Sequence, residues 1–241
     1  MANSMQNIDN PVIGIDLLKM LMLQLYSNPR CIYREYIQNA LDSINEAVKL
    51  GILSQEKDGR VSIIITNNDI SIEDNGTGVR SDKAVKILTD IANSVKNGVD
   101  TAGQFGVGRL SGGGYCEILE FETTYKGEDV STIVSLDTRK LRKMVEKKET
   151  DISAEDAMRE ICTKHTSPAK AEEHKFTVRL KNVIYSREIL LDIDEIKNYI
   201  TEYAPIDYSV PFNSLINSCP QTEFVKKHRQ IDKIRVSLND H

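Results

Sequence analysis

Glu35, Asn39 and Asp42 fall four and then three residues apart in CIYREYIQNALDSINEAVKL (31–50). If this stretch is helical, with Glu35 at zero and about 100° per residue, Asn39 lies at about 40° and Asp42 at about −20°. An acid, an amide and an acid then share one face. Ile37, Ala40, Leu41, Ile44 and Val48 take the opposite face, although Ile32, at about 60°, interrupts the pattern. One side packs and the other presents oxygen ligands and a proton acceptor, but a polar face of this kind is ordinarily just solvated.

A second candidate is Asp74-Asn75-Gly76-Thr77-Gly78, directly after Ile72-Glu73. Two glycines one residue apart let a backbone approach a flat ligand closely, and a carboxylate at a strand end can accept hydrogen bonds from an exocyclic amine. The same letters also spell a β-turn with an Asp cap. A third is Gly103-Gln104-Phe105-Gly106-Val107-Gly108, followed by Arg109-Leu110-Ser111-Gly112-Gly113. Glycines here expose backbone N–H groups, and a helix start after them would favour phosphate. Neither common phosphate motif fits. Arg109 and Leu110 stand where a Walker loop needs Lys and a hydroxyl, and Ser111 stands where a dinucleotide loop needs Gly. A flexible glycine loop is the alternative.

Positioning these groups requires the following elements. Residues 12–27 read as an apolar helix stopped by Asn28-Pro29, and 31–50 as a second helix stopped by Gly51. VSIIIT (61–66) and DISIED (69–74) around Asn67-Asn68 read as a hairpin. Residues 82–93 look helical, and 116–125 and 130–136 look like strands joined by a KGED turn. The charged stretch 137–174 is expected to be a peripheral insertion with helices capped by Asp137 and Ser153. FTVRL (176–180) reads as a strand and 192–204 as a helix. Residues 1–212 are then one domain, with 213–241 a linker and, from IRVSL (234–238), the opening of a following domain. Successive hairpins require an antiparallel or mixed sheet, so the class is α+β rather than doubly wound.

The 241 residues are 40% hydrophobic and 28% charged, an ordinary globular mix able to bury a core without staples. With 31 basic and 36 acidic residues the net charge is −5, which speaks against a general nucleic-acid binder. Cys31, Cys116, Cys162 and Cys219 are scattered with no CxxC, as expected of reduced thiols. His165, His174, His228 and His241 have no metal-ligand spacing. No apolar run reaches the ~20 residues of a membrane span. The polar start, MANSMQNIDN, lacks a signal-peptide pattern, so a cytoplasmic protein is expected.

In this order, E-x-x-x-N-x-x-D, D-x-G-x-G and G-x-x-G-x-G resemble the motif set of the GHKL ATPase superfamily. That group joins the 90-kDa heat-shock chaperones, type II DNA topoisomerases, histidine kinases and MutL-type repair proteins. The wording is most similar to the chaperones. YREYIQNALDSINEA resembles their R-E-x-I-x-N-A-x-D-A helix, GQFGVG their identical stretch, and Ile91-Ala92-Asn93-Ser94-x-Lys96 their lid segment. Phe176–Leu180, the 192–204 helix and Tyr208-Ser209-Val210-Pro211-Phe212 resemble the end of their nucleotide domain, so the likeness covers residues 12–212.

The resemblance implies a two-layer α/β sandwich, the Bergerat fold, whose mixed, mostly antiparallel sheet has helices on one face. It also implies ATP and ADP as ligands with Mg²⁺. Asn39 would hold the Mg²⁺ that bridges the phosphates, a hard cation suited to an amide oxygen among phosphates and waters. Glu35 would be general base toward the attacking water. Asp42 would support the adenine and ribose side through water, Asp74 would accept the adenine amino group, and Gly78 would let the ring lie close. Lys96 would reach the phosphates from the lid. Gly103 opens the glycine-rich segment, and the backbone N–H groups of Gly106, Val107, Gly108 and Arg109 would cradle the β- and γ-phosphates.

Two departures stand out. Arg109 replaces an aromatic residue of the chaperones, and Glu173-His174 takes the place of a Gly-Thr whose Thr helps hold adenine. The implied protein is a divergent chaperone that hydrolyses ATP to ADP and phosphate, closes its lid, dimerises and acts on client proteins. Its turnover would be slow in this chain alone, because the family completes its site with a basic residue from the next domain. The rivals are a DNA-remodelling ATPase of the MutL, topoisomerase or MORC kind, a histidine-kinase-like phosphotransferase, and a non-catalytic nucleotide-sensing scaffold.

Overall fold

A computed structural model of the chain describes residues 13–24, 26–90, 108–147, 152–203 and 234–239. The calls on Lys96, Gly103, Gly106 and Val107, and on residues 208–212, lie outside the described residues.

The first predicted helix is a single α turn, α1 (Asp16–Leu18), running into a π turn, Lys19–Leu23. The wider turn keeps Leu18 and Met22 buried and lays Met22 against Gly113 and Gly114. Helix α2 (Cys31–Lys49) follows, opened by Asn28, whose Oδ1 accepts the Arg30 N–H at 3.1 Å. It ends in a Schellman motif. Gly51 sits at φ 69° and donates its N–H to the Val48 carbonyl, and the Ile52 N–H donates to the Ala47 carbonyl. The buried stripe of α2 is Ile32, Tyr33, Tyr36, Ile37, Ala40, Leu41, Ile44 and Ala47. Ile32 belongs to the core after all and Val48 is only half-buried, because the stripe is wider than the aliphatic positions indicate.

Strands β1 (Arg60–Ile65) and β2 (Ile70–Asp74) form the predicted antiparallel hairpin, with Ile63 opposite Ile72. After the short helix α3 (Ala84–Thr89) and a 3₁₀ turn (Gly108–Gly114) come β3 (Cys116–Thr124) and β4 (Val130–Asp137). Helices α4 (Thr138–Glu146) and α5 (Ala154–Ile161) lead to β5 (Cys162–Pro168), and then to β6 (Lys175–Val183). Helices α6 (Arg187–Leu190) and α7 (Ile193–Tyr203) precede β7 (Arg235–Leu238). The seven strands form one sheet in the order β5-β4-β3-β6-β2-β1-β7. All pairs are antiparallel except β1 with β7, which are parallel. This is the mixed, mostly antiparallel sheet of an α+β sandwich.

Two stretches differ from expectation. The charged region 137–174 is no mere peripheral insertion: α4 and α5 bury Leu141, Met144, Ala157, Met158 and Ile161, and β5 extends the sheet. Those apolar residues recur at helical spacing inside a charged stretch, and β5 is an edge strand with no alternation to reveal it. Arg235–Leu238, expected to open a following domain, lies in this sheet beside β1. Its four residues carry no signal of the partner they choose.

The strand period of two puts Val61, Ile63, Ile65, Ile70, Ile72, Leu119, Phe121, Val178 and Leu180 on the face covered by helices. Glu73, Glu120, Glu122, Lys175, Arg179 and Lys181 on the other face form a lattice of ion pairs, among them Lys181 to Glu120 at 2.6 Å and Arg179 to Glu120 at 3.2 Å.

Candidate active site

Asp74 ends β2 in phase with Ile70 and Ile72, so its side chain points into the helix-covered layer rather than out with Glu73. Only 4% of it is exposed. Burial pushes its carboxyl up to about 7, although the Gly76 N–H at 2.8 Å and the Ser43 hydroxyl favour the ionised form. Residues 74–78 are tied to α2 through Ser43, whose Oγ accepts the Thr77 N–H at 3.1 Å. A Cβ on Gly76 would lie 2.7 Å from the Ser43 carbonyl carbon and from Asp74 Oδ1. Sequence reasoning missed Ser43; its place one residue after Asp42 on α2 was the available signal.

Gly78 adopts φ +63°, and a Cβ there would collide with the Thr124 carbonyl oxygen. The glycine is therefore required where the loop crosses the end of β3. The neighbouring Val79 N–H donates to Thr123 Oγ1 at 2.7 Å. His174, which stands in place of the expected Thr, lies with Nδ1 2.9 Å from the Gly76 carbonyl oxygen, a contact that puts the proton on Nδ1. Thr177 is fully turned to other work: its hydroxyl donates to Glu73 at 3.0 Å on the outer face.

The candidate residues of α2 lie along one side of that helix. Glu35 is half-buried and Asn39 exposed. Glu35 Oε1 accepts from Arg34 Nη2 at 3.0 Å. Burial and then the Glu35 carboxylate push the Tyr26 hydroxyl up to about 12. Asp42 Oδ1 accepts from Gln38 Nε2 at 3.2 Å. The glycine-rich segment reaches this helix at Gly108, where a Cβ would sit 2.6 Å from Glu35 Oε2. The backbone of Gly108 therefore packs directly against the carboxylate of the candidate base.

The Arg109 side chain turns back to α3. Its Nε donates to the Leu88 carbonyl at 3.3 Å and its Nη2 to the Asp90 carbonyl, at the C-terminal end of α3. Burial lowers the pKa of this guanidinium, while the nearby Asp90 opposes the shift. Two further carbonyls of the 3₁₀ turn are met by Tyr36, whose hydroxyl donates to Arg109, and by Arg142, whose Nη2 donates to the Gly113 carbonyl at 2.8 Å.

Glu35, Gly108, Ser43 and Asp74 are thus assembled from a helix, a strand end and a glycine turn distant in sequence. Residues 27–168 match the family described as histidine kinase-, DNA gyrase B-, and HSP90-like ATPase. The chain belongs to this family. As an HSP90-like ATPase domain it is similar to chaperone protein HtpG of several bacteria. It is 32% identical to that of Buchnera aphidicola subsp. Baizongia pistaciae over 134 residues, 46% of this chain and 21% of that protein. It is 36% identical to that of Acinetobacter baylyi over 115 residues, 40% of this chain and 18% of the relative. The Streptomyces coelicolor protein is 26% identical over 137 residues, 48% of this chain and 22% of its own. The chain spans about a fifth of the length of these curated relatives.

Among the described residues, no three His, Cys, Asp or Glu side chains gather as a metal cage, and no helix is long and apolar enough to cross a membrane. The donor set does fit a nucleotide with its cation. A buried carboxyl can accept an exocyclic amine, an exposed amide oxygen on α2 can join phosphates and waters around a hard cation, and a Cβ-free backbone lies next to an acid.

Proposed function

We propose that this domain binds adenine nucleotide and hydrolyses ATP as the ATPase part of a chaperone of the 90-kDa heat-shock kind. The observation that carries the reading is Asp74, a carboxyl buried on the helix-covered face of the sheet. It lies beneath the helix that bears Glu35 and Asn39, beside Ser43 of that helix, while the Gly108 turn meets the same helix at Glu35. Asp74 accepts the adenine amino group and discriminates for it, because a buried acceptor left without its donor is costly. Ser43 and His174 hold the 74–78 loop in the shape that admits the ring. Asn39 lends its amide oxygen to Mg²⁺, which when bound neutralises phosphate charge. The backbone at Gly108 and Arg109 lies against the phosphates. Glu35 orients the attacking water and takes its proton.

Lys96 is proposed to reach the phosphates from the lid, the glycine-rich segment that Gly103 opens to cradle them through the backbone N–H groups of Gly106 and Val107, and Asp42 to support the ribose side through water. Closure, dimerisation, client binding and a cytoplasmic setting are proposed with it, supported by the likeness to the chaperones. A second reading, binding without turnover, draws on the Arg34 ion pair and the Tyr26 hydroxyl that engage Glu35.

Calorimetric titration with ADP and ATP, with and without Mg²⁺, tests the pocket. Micromolar, Mg-dependent binding is expected, and Asp74→Asn should abolish it; no binding to the unsubstituted domain would refute the proposal. Glu35→Ala separates the two readings. It should lower turnover by about 100-fold or more while binding persists, whereas an unsubstituted domain that binds nucleotide and shows no turnover to lose would be a sensor.

A further inference from the structure

Tyr36 is the neighbour of Glu35 in α2, fully within the core at 2% exposure. Its hydroxyl donates to the Arg109 carbonyl at 3.1 Å and accepts the Gly112 N–H at 3.0 Å. A buried tyrosine needs one partner for its hydroxyl. This one spends both its donor and an acceptor site on the same turn, at positions three residues apart. Gly112 is the complement of that contact, since a Cβ there would run into the Tyr36 hydroxyl.

The turn has other ties. Ser111 Oγ donates to the Gly108 carbonyl at 2.6 Å, Arg109 reaches back to α3, and Arg142 holds Gly113 and Gly114. Among the hydrogen bonds of the described residues, the Tyr36 contacts join the turn to α2. They act one residue from Glu35, while Gly108 packs on Glu35 itself. A displacement of the turn by a fraction of an ångström would therefore change the space between its backbone and the carboxylate, and such displacements are costly where groups must be aligned.

We propose that Tyr36 is a positioning residue that registers the Gly108 turn against α2 and so sets the phosphate subsite beside Glu35. The inference rests on the nucleotide reading above. The adenine end, at Asp74, is built from other elements and should not depend on this tether.

The test is calorimetric titration of the 241-residue protein and of Tyr36→Phe with ATP and with adenosine, at a temperature where circular dichroism shows both folded. ATP affinity should fall about tenfold, the worth of one buried hydrogen bond, and adenosine affinity by less than about twofold. Equal losses, or none, in a folded variant would overturn the role, since a merely structural hydroxyl would not single out the phosphates. An unsubstituted protein that binds neither ligand would remove the nucleotide reading itself, and is recognised without any variant. Amide exchange at Gly112 in the unsubstituted protein gives a readout that needs no substitution. ATP should slow it and adenosine should not; equal effects, or no effect, would overturn the proposal.

Discussion

Asp74 occupies a position where the strand's alternation calls for an isoleucine, and that misfit has a measurable consequence. The folded carboxyl keeps its proton up to about pH 7, whereas the unfolded one loses it at 3.8. Its contribution to stability is therefore full at pH below the unfolded value, declines as pH rises through that window and is lost above about 7. Asp74→Asn removes the titration while keeping an oxygen for the Gly76 N–H. The substitution should raise the melting temperature of the ligand-free domain more at pH 8 than at pH 5, the two increments differing by roughly 2 kcal/mol or about 5 °C. Calorimetric melts at the two pH values check this; equal increments would mean that Asp74 titrates normally. The variant best at folding would thus be the one that fails to bind. The identity of Asp74 was legible in the D-x-G-x-G motif, but its protonation depends on the layer of α2 above it.

Among the elements, the helix starts marked by a capping side chain were read well because their chemistry is local, whereas the helix read over 12–27 shrinks to Asp16–Leu23. Asp137 accepts the Arg139 and Lys140 N–H groups at the start of α4, and Ser153 accepts the Asp156 N–H at the start of α5. Asp137→Ala should cost about 1 kcal/mol, a fall of about 2–4 °C in melting temperature, with nucleotide affinity unchanged. A melt and a titration of the same variant decide it, and a loss of affinity would show that α4 communicates with the site. Helix α2 also kept its predicted bounds to within a residue, since its Gly51 stop and apolar stripe are written along the chain. The edge strand β5 was not legible. Its exposed Thr, Lys and His residues bury no face that a pattern could mark, and it is a strand because β4 offers it a ladder.

For the whole molecule, the parallel pairing of β7 with β1 joins residue 235 to residue 60 and covers an edge of the sheet whose other strands carry the site. Asn239 fastens the junction. Its side chain accepts the Ile65 N–H at 2.7 Å and donates to the Ile65 carbonyl at 3.1 Å, and it tolerates φ 46°. Asn239→Ala should destabilise the domain by about 1–2 kcal/mol through the lost hydrogen bonds and the strained φ. Amide exchange at Ile65 should quicken, as hydrogen–deuterium exchange would record. Unchanged exchange would mean that β7 adds no protection to β1. The sequence alone determined the α+β class, the helix that presents Glu35, Asn39 and Asp42, the β1–β2 hairpin and the motif order that carries the family likeness. The first three rest on periodicity, caps and turns within about twenty residues of one another, and the last on the resemblance of the motifs. Tertiary structure alone decided that Gly108 meets Glu35, that Arg109 turns to α3, that Tyr36 holds the glycine turn and that Asp74 is buried. Each depends on partners tens of residues away, whose meeting is set by sheet register and by what the helices must cover.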